Sequence, residues 1–419
     1  MSETGILVVC VSVLCFAMFA RRLATSMLTA PMVFLALGYL LSFSGWFEKE
    51  AAEHSLHVVA EVTLIILLFL DASQIDLRAL KERHIWPQRM LLVGLPLAVV
   101  FGTFVAWLFF PGWPIVAVAL IAALLAPTDA ALGQSVVSNK LVPERVRRGL
   151  TVESGLNDGM ALPIILFFAS LTGEVADAGS RNWILFGAGQ LILGPVVGIF
   201  VGGVGAKMML FASDRGWTSD VFEGIAALTL AATAYLLAGE VGGNGFISAF
   251  VAGLTLGNVV KGRCKFLFEF TESEGQLLMW VSFFLLGLAL LPEAIGHLTP
   301  AIFGLILLSL FIVRPAAIWI SLLGTDASAP TRLFFGWFGP RGLATALFAL
   351  LILPQIGGEY AETILAVAIN AVWISALLHG VSAAPLGKLY GGMVAQQGEC
   401  AETKPVAKPF ADANLQDSP

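Results

Sequence analysis

The chain has 419 residues, of which 58% are hydrophobic and only 12% charged, with a formal net charge of −6. A soluble protein of this size cannot hide so much apolar surface, so the composition excludes a soluble enzyme or a nucleic-acid-binding domain and requires a polytopic membrane protein. The four cysteines, Cys10, Cys15, Cys264 and Cys400, are scattered without metal-ligand spacing; neither a disulfide framework nor a cofactor is expected.

The first apolar run, residues 5–20, has no Lys or Arg before it, and Arg21 and Arg22 follow it. That polarity is wrong for a cleaved signal, so the run reads as the first span. Dividing the remaining runs at polar breaks gives about thirteen spans, beginning near Gly5, Met27, Ser55, Met90, Pro114, Gly149, Asn182, Val221, Gly245, Gln276, Pro300, Arg332 and Ala361. Nearly all Lys and Arg fall in the odd-numbered loops and the C-terminal tail, whereas the even loops hold only Lys49 and Arg181. This positive-inside bias places the N-terminus outside and the C-terminus in the cytoplasm of a plasma (inner) membrane. Residues 1–390 read as the transmembrane domain and residues 391–419 as a short, polar, disordered cytoplasmic tail.

The chemistry sits where apolar runs carry charge. The third span holds Asp71 in LFLDASQIDL, and the fifth holds Pro127, Thr128 and Asp129. The sixth reads TVESGLNDG over residues 151–159, so Ser154 and Asp158 share one helical face and Glu153 and Asn157 another. The only basic residues left inside spans are Arg314 in the eleventh and Arg341 in the twelfth. An ionisable group at bilayer depth marks a functional site by default. Counting about 1.5 Å per residue from the ends of the spans puts Asp71, Asp129, Asp158, Arg314 and Arg341 in the middle or inner half of the membrane, as one site would require. Pro127 and Pro340 each break a polar segment inside a span, seven spans apart, so the two halves form an inverted repeat. Two broken helices crossing near the midplane would expose carbonyls able to bind a cation and half-helix ends that attract charged side chains.

The motifs APTDA (126–130), ESGLND (153–158), NGFISAFVAGLTLGN (244–258), VRP (313–315) and GPRG (339–342) occur in this order along the chain. In these the chain resembles the monovalent cation/proton antiporters, specifically the electroneutral sodium/proton exchanger branch related to animal sodium/hydrogen exchangers. The resemblance implies an all-α fold and a homodimer whose core domain moves against a dimerisation scaffold. It implies one monovalent cation (sodium, with lithium or potassium as alternatives) exchanged for one proton. Asp158 is then the carrier for which cation and proton compete. Asn157 stands where the electrogenic branch has a second acid, and Asp129, Thr128 and Ser154 surround the transient sodium ion. Glu153 and Arg314 match the family's buried ion pair, while Arg341 compensates charge at the break. Asp71 fits either a ligand or a helix-end polar residue lining the inner funnel. Ala130 stands where many members have proline.

Other polar residues carry blander expectations. Glu61 and Glu240 read as interfacial charges, and His54, His57, His84, His297 and His379 as loop or helix-end residues without metal spacing. A cation channel using the same acids as a selectivity ring is the competing class. Channels repeat their filter around an axis, whereas here the halves are inverted and the acids unequal.

Overall fold

In lipid every backbone N–H and C=O needs a partner within the protein, which leaves helices and closed barrels as the spanning structures. The computed structural model describes residues 3–23, 28–77, 85–129, 132–137, 139–176, 183–261, 265–356 and 358–404, and among these no strand occurs. Among the described residues eight helices are long and apolar enough to cross a membrane, and five shorter apolar helices are interspersed with them, matching the expected spans. The clearest difference in boundary is the tenth span. Its helix, Lys265–Ala289, begins well before the expected Gln276, because the polar stretch ahead of the apolar run is helical too.

The helices form two packed groups. The second, third, eighth, ninth and tenth spans pack together, with the seventh against the eighth and ninth. The fourth, fifth, sixth, eleventh, twelfth and thirteenth make the other group, and the third span meets the sixth and twelfth across the seam. Apolar side chains gain little by leaving lipid for protein, so close backbone approach carries much of the association. Gly253 and Gly257 on the ninth helix lie directly against the Phe69 and Ser73 carbonyls of the third, where a Cβ could not fit. This contact brackets Asp71 and fixes the wall of the site.

The inverted repeat is visible in backbone detail. The fifth span is a helix, Ile115–Leu124, followed by non-helical chain through Asp129; the twelfth is Ala329–Trp337, a break, then Leu343–Ile356. The fourth and eleventh spans, also seven apart, each contain a π-turn, Met90–Gly94 and Ser309–Val313. Each π-turn leads directly into an X-Pro pair, Leu95-Pro96 and Arg314-Pro315. A proline ring clashes with the carbonyl four residues back, and a wider turn relieves that clash while keeping the helix continuous. The amides of Leu95 and Arg314 accordingly reach five residues back, to the Met90 and Ser309 carbonyls.

Three expectations are corrected. Glu61 lies near the middle of its helix, Lys49–Ser73, rather than at an outer end, and its carboxylate accepts a 2.5 Å hydrogen bond from the Tyr235 hydroxyl on the eighth span. A carboxylate on an outward face at that depth needs such a donor. His379 is no loop or end residue: it is 1% exposed inside the last helix, Gly358–Gln397.

The tail also differs over its first part. The last helix continues through Gln397, and Ala401–Thr403 form a 3-10 turn that buries Glu402 against the start of the twelfth span. There the Thr331 hydroxyl and the Ser328 amide donate to Glu402 Oε1 at 2.6 and 3.1 Å. Arg145 donates to the Ala401 carbonyl at 2.7 Å and pairs with Asp326 at 2.9 Å. Residues 405–419 lie outside the described set. Burial acts to raise the Glu402 carboxyl, but the hydrogen bonds from Thr331 and Ser328 outweigh it and hold the group at about 2, against an ordinary 4.5. A depressed carboxylate contributes stability that is fully present above its unfolded pKa and is lost as pH falls through the folded one. Glu402→Gln is therefore expected to lower the thermal midpoint in detergent at neutral pH, with the gap from wild type closing as pH falls from about 4.5 toward 2. A gap independent of pH over that range would show that the carboxylate charge contributes nothing.

Candidate functional site

The two breaks cross and bond to one another. The Asp129 amide donates to the Pro340 carbonyl at 2.8 Å, and the Leu343 amide donates to Asp129 Oδ2 at 3.0 Å. Asp129 thus sits at the N-terminus of the half-helix Leu343–Ile356, where orphan amides and the helix dipole favour a negative charge. Arg341, 1% exposed, sends one guanidinium nitrogen to the carbonyls of Ala126 and Pro127 at 2.7 and 3.0 Å. These bonds set the Arg341 guanidinium on the carbonyls just past Ile115–Leu124, the negative end of that half-helix. The glycines of GPRG have a steric reason. A Cβ on Gly342 would run into the Asp129 carboxylate, and one on Gly339 into the Arg314 guanidinium.

The sixth helix, Glu144–Ala176, supplies the facing wall. Ser154 Oγ donates to the Thr128 carbonyl at 2.7 Å, and Asn157 Nδ2 donates to Thr128 Oγ1. Glu153 and Arg314 form a bidentate pair at 3.1 and 3.0 Å, both side chains 4% exposed. Arg314 also donates to the Phe335 carbonyl at 3.4 Å, which joins the sixth, eleventh and twelfth spans. Asp158 Oδ1 is buried and has no hydrogen-bond partner among the described residues, and neither has Asn157 Oδ1. Buried polar oxygens are rarely left so, and an orphan of this kind calls for an explanation.

A cavity of about 310 Å³ lies beside this carboxylate. Asp71, Asp129 and Asp158 all line it, with Ser154, Thr151, Gln74 and Gln276. Its apolar walls come from Leu64, Leu68, Met279, Leu343 and Leu347. Gly155 on the sixth helix faces Asp71 on the third: a Cβ built on Gly155 would stand 3.7 Å from the Asp71 Cβ, an ordinary packing contact. Gln74 and Thr151, which are exposed, mark the mouth. Three acids, two hydroxyls and two amides around one cavity can hold a small cation or a proton beside a carboxylate that the protein leaves partly unsatisfied.

All the site residues expected from the sequence therefore converge, Glu153, Arg314 and Arg341 as the frame and the others at or behind the cavity. Ala130 lies outside the described residues. Sequence reasoning missed Ser375 and His379 on the last span, which bond to both flanks of the twelfth-span break. A histidine inside an otherwise apolar run was the signal available.

A family model for the transmembrane sodium/hydrogen exchanger matches residues 7–389. The K(+)/H(+) antiporter NhaP of Alkalimonas amylolytica is 26% identical over 405 residues, covering 93% of this chain and 67% of the relative. The K(+)/H(+) antiporter NhaP2 of Shewanella sp. (strain MR-4) is 29% identical over 399 residues, covering 92% of this chain and 66% of the relative. The chain thus spans about two thirds of the length of the curated relatives it matches. The structure of the sodium proton antiporter MjNhaP1 from Methanocaldococcus jannaschii at pH 8 superposes with a TM-score of 0.77 at 19% identity, covering 94% of this chain and 99% of that one, a likeness of fold. With crossing broken helices, an orphaned intramembrane carboxylate and a family match over nearly its whole length, the chain belongs to the transmembrane sodium/hydrogen exchanger family.

Proposed function

We propose that the protein is a secondary antiporter that exchanges a monovalent cation for a proton, the two competing for Asp158. One observation carries this reading: an Asp158 carboxylate with one buried oxygen that has no partner among the described residues, on the wall of a cavity that Asp71 and Asp129 also line. A carboxylate left unsatisfied by protein is suited to alternate between a bound cation and a bound proton. Ser154, Thr128, Asp129 and Asp71 are the further oxygen donors within or behind the same space. With the N-terminus outside, the mouth at Gln74 and Thr151 opens toward the cytoplasm. The group holding the third span is the natural scaffold of a homodimer, and the group holding both breaks is the moving core. Sodium is the cation favoured by the motifs; potassium is the second reading, supported by the naming of two relatives as K(+)/H(+) antiporters. Proteoliposomes loaded with a pH gradient decide both points. Exchange should collapse the gradient on addition of the preferred cation and be drivable from either side, whereas a channel would conduct the cation without moving protons.

The same geometry supports one cation per proton. Asn157 offers no second titratable group beside Asp158, Glu153 is locked to Arg314, and Asp129 is held by the amide of Leu343. With the charge of Asp71, the remaining acid on the cavity, held constant, only Asp158 changes occupancy, and no net charge moves. One charge crossing 100 mV is worth about 2.3 kcal/mol, so net charge movement would be conspicuous. Exchange is expected to proceed at the same rate with the membrane potential clamped at zero or at 100 mV by valinomycin and potassium, in sodium-driven assays. Several-fold acceleration by voltage would point to Asp129 or Asp71 as a second carrier.

A further inference from the structure

Breaking a helix inside the membrane leaves a carbonyl at the end of the first half and amides at the start of the second, and each must be satisfied by protein. In the fifth span Arg341 covers the carbonyls of Ala126 and Pro127. In the twelfth the corresponding groups are the Trp337 carbonyl, at the end of Ala329–Trp337, and the Arg341 amide, just before Leu343–Ile356. Both are met by one pair of side chains on the last helix, Ser375 and His379, four residues apart and therefore on one face, the Trp337 carbonyl also accepting the Gly339 amide at 2.8 Å. The Arg341 amide donates to Ser375 Oγ at 2.7 Å. His379 Nε2 lies 2.8 Å from the Trp337 carbonyl, and its Nδ1 lies 3.1 Å from Ser375 Oγ and 2.9 Å from the Ser375 carbonyl. Each ring nitrogen faces a carbonyl: protonated on Nε2 the ring donates to the Trp337 carbonyl and accepts from the Ser375 hydroxyl, which in turn accepts the Arg341 amide, whereas a proton on Nδ1 would go to the Ser375 carbonyl. The ring also stacks on the Trp337 indole, centroids 4.9 Å apart and planes 23° from parallel. Ser375 and His379 are 0% and 1% exposed, and neither lines the cavity.

We propose that Ser375 and His379 are positioning residues of the exchange site, a two-residue clamp that sets where the twelfth-span break crosses the fifth. This rests on the antiport reading above. The crossing is a chain of short links from the clamp to the ligands. Ser375 fixes the Arg341 amide, the adjoining Pro340 carbonyl takes the Asp129 amide, and the Leu343 amide takes the Asp129 carboxylate. Thr128, next to Asp129, is in turn bonded by Ser154 and Asn157 beside Asp158. Loosening the clamp lets the Thr128 and Asp129 oxygens drift relative to Asp158, which weakens cation capture before it harms the fold.

The test compares Ser375→Ala and His379→Leu, which remove the bonds, with Ser375→Thr and His379→Gln, which keep a hydroxyl and a donor. Purified proteins are reconstituted at equal density, and cation-driven proton movement is measured against sodium and potassium concentration. The apolar variants are expected to raise the apparent KM about fivefold or more with a smaller change in maximal rate, and the conservative variants to restore it to within about twofold. An unchanged KM in both apolar variants, with only yield or thermal stability reduced, would mean that the pair merely packs; His379→Gln no better than His379→Leu would also overturn the clamp. If wild-type vesicles show no cation-dependent proton movement, it is the antiport reading that fails. Thermal unfolding of the Ser375→Ala, His379→Leu and double variants then decides the clamp alone: a double variant that loses less than the sum supports it, and additive losses overturn it.

Discussion

Purified Asp158→Asn protein is expected to fold, reconstitute and exchange nothing measurable. The amide is close in shape to the carboxyl, so the packing of the sixth helix against the two breaks has no reason to change. The substitution also removes a buried negative charge from a cavity it shares with Asp71 and Asp129, so the thermal midpoint should hold or rise. What disappears is the charge. A cation at this depth without a compensating carboxylate costs at least about 2.5–3.5 kcal/mol, and at 1.36 kcal/mol per factor of ten that is about a hundredfold or more in occupancy. An amide also takes up no proton near neutral pH, so the return half of the cycle is lost as well. Wild-type rates in monodisperse, thermally stable Asp158→Asn would sink the mechanism, and Asp71 or Asp129, which line the same cavity, would become the carrier candidates.

The site was readable to the extent that its residues violate the rule for apolar spans. Glu153, Asn157 and Asp158 announce themselves because acids and amides do not otherwise occur in such a run. Arg314 and Arg341 emerge by the same logic, as the basic residues that the topology leaves inside spans. Which arginine goes where was implied only by family likeness, since Glu153 and Arg314 are far apart in sequence and meet only after the eleventh span packs on the sixth. The π-turns were hidden because hydropathy is blind to turn width; Leu95-Pro96 and Arg314-Pro315 were the marks available. His379 was misplaced because the boundary of the last span was read from hydropathy, whereas the helix continues to Gln397. Glu402 was misread for a different reason. A polar tail reads as solvated, and nothing local reveals that Ser328 and Thr331 wait for its carboxylate on another helix.

Single truncations of the Glu153–Arg314 pair should be among the most destabilising substitutions in the chain. Both side chains are 4% exposed, and the two guanidinium nitrogens meet the two carboxylate oxygens in parallel. Removing either partner strands the other charge out of water, a loss of about 3–5 kcal/mol. Glu153→Ala leaves Arg314 facing the Phe335 carbonyl alone, and Arg314→Ala leaves a second unpartnered acid one helical turn from Asn157. Removing both strands neither, so the double variant should recover part of the loss and unfold at a higher temperature than the sum of the single effects allows. The apolar pair Glu153→Leu with Arg314→Met should do better still, because replacing a buried ion pair by packed hydrophobic side chains is often neutral or stabilising. What the apolar pair does to transport separates two roles. If the pair only holds the sixth span to the eleventh, this variant exchanges normally. If its charges also set the field around Asp158, the pH at which exchange is half-maximal shifts while the fold stays intact. Strictly additive thermal losses in the alanine series would contradict the pairing itself, and with it the claim that Glu153 keeps a fixed charge while Asp158 alone exchanges its cation for a proton.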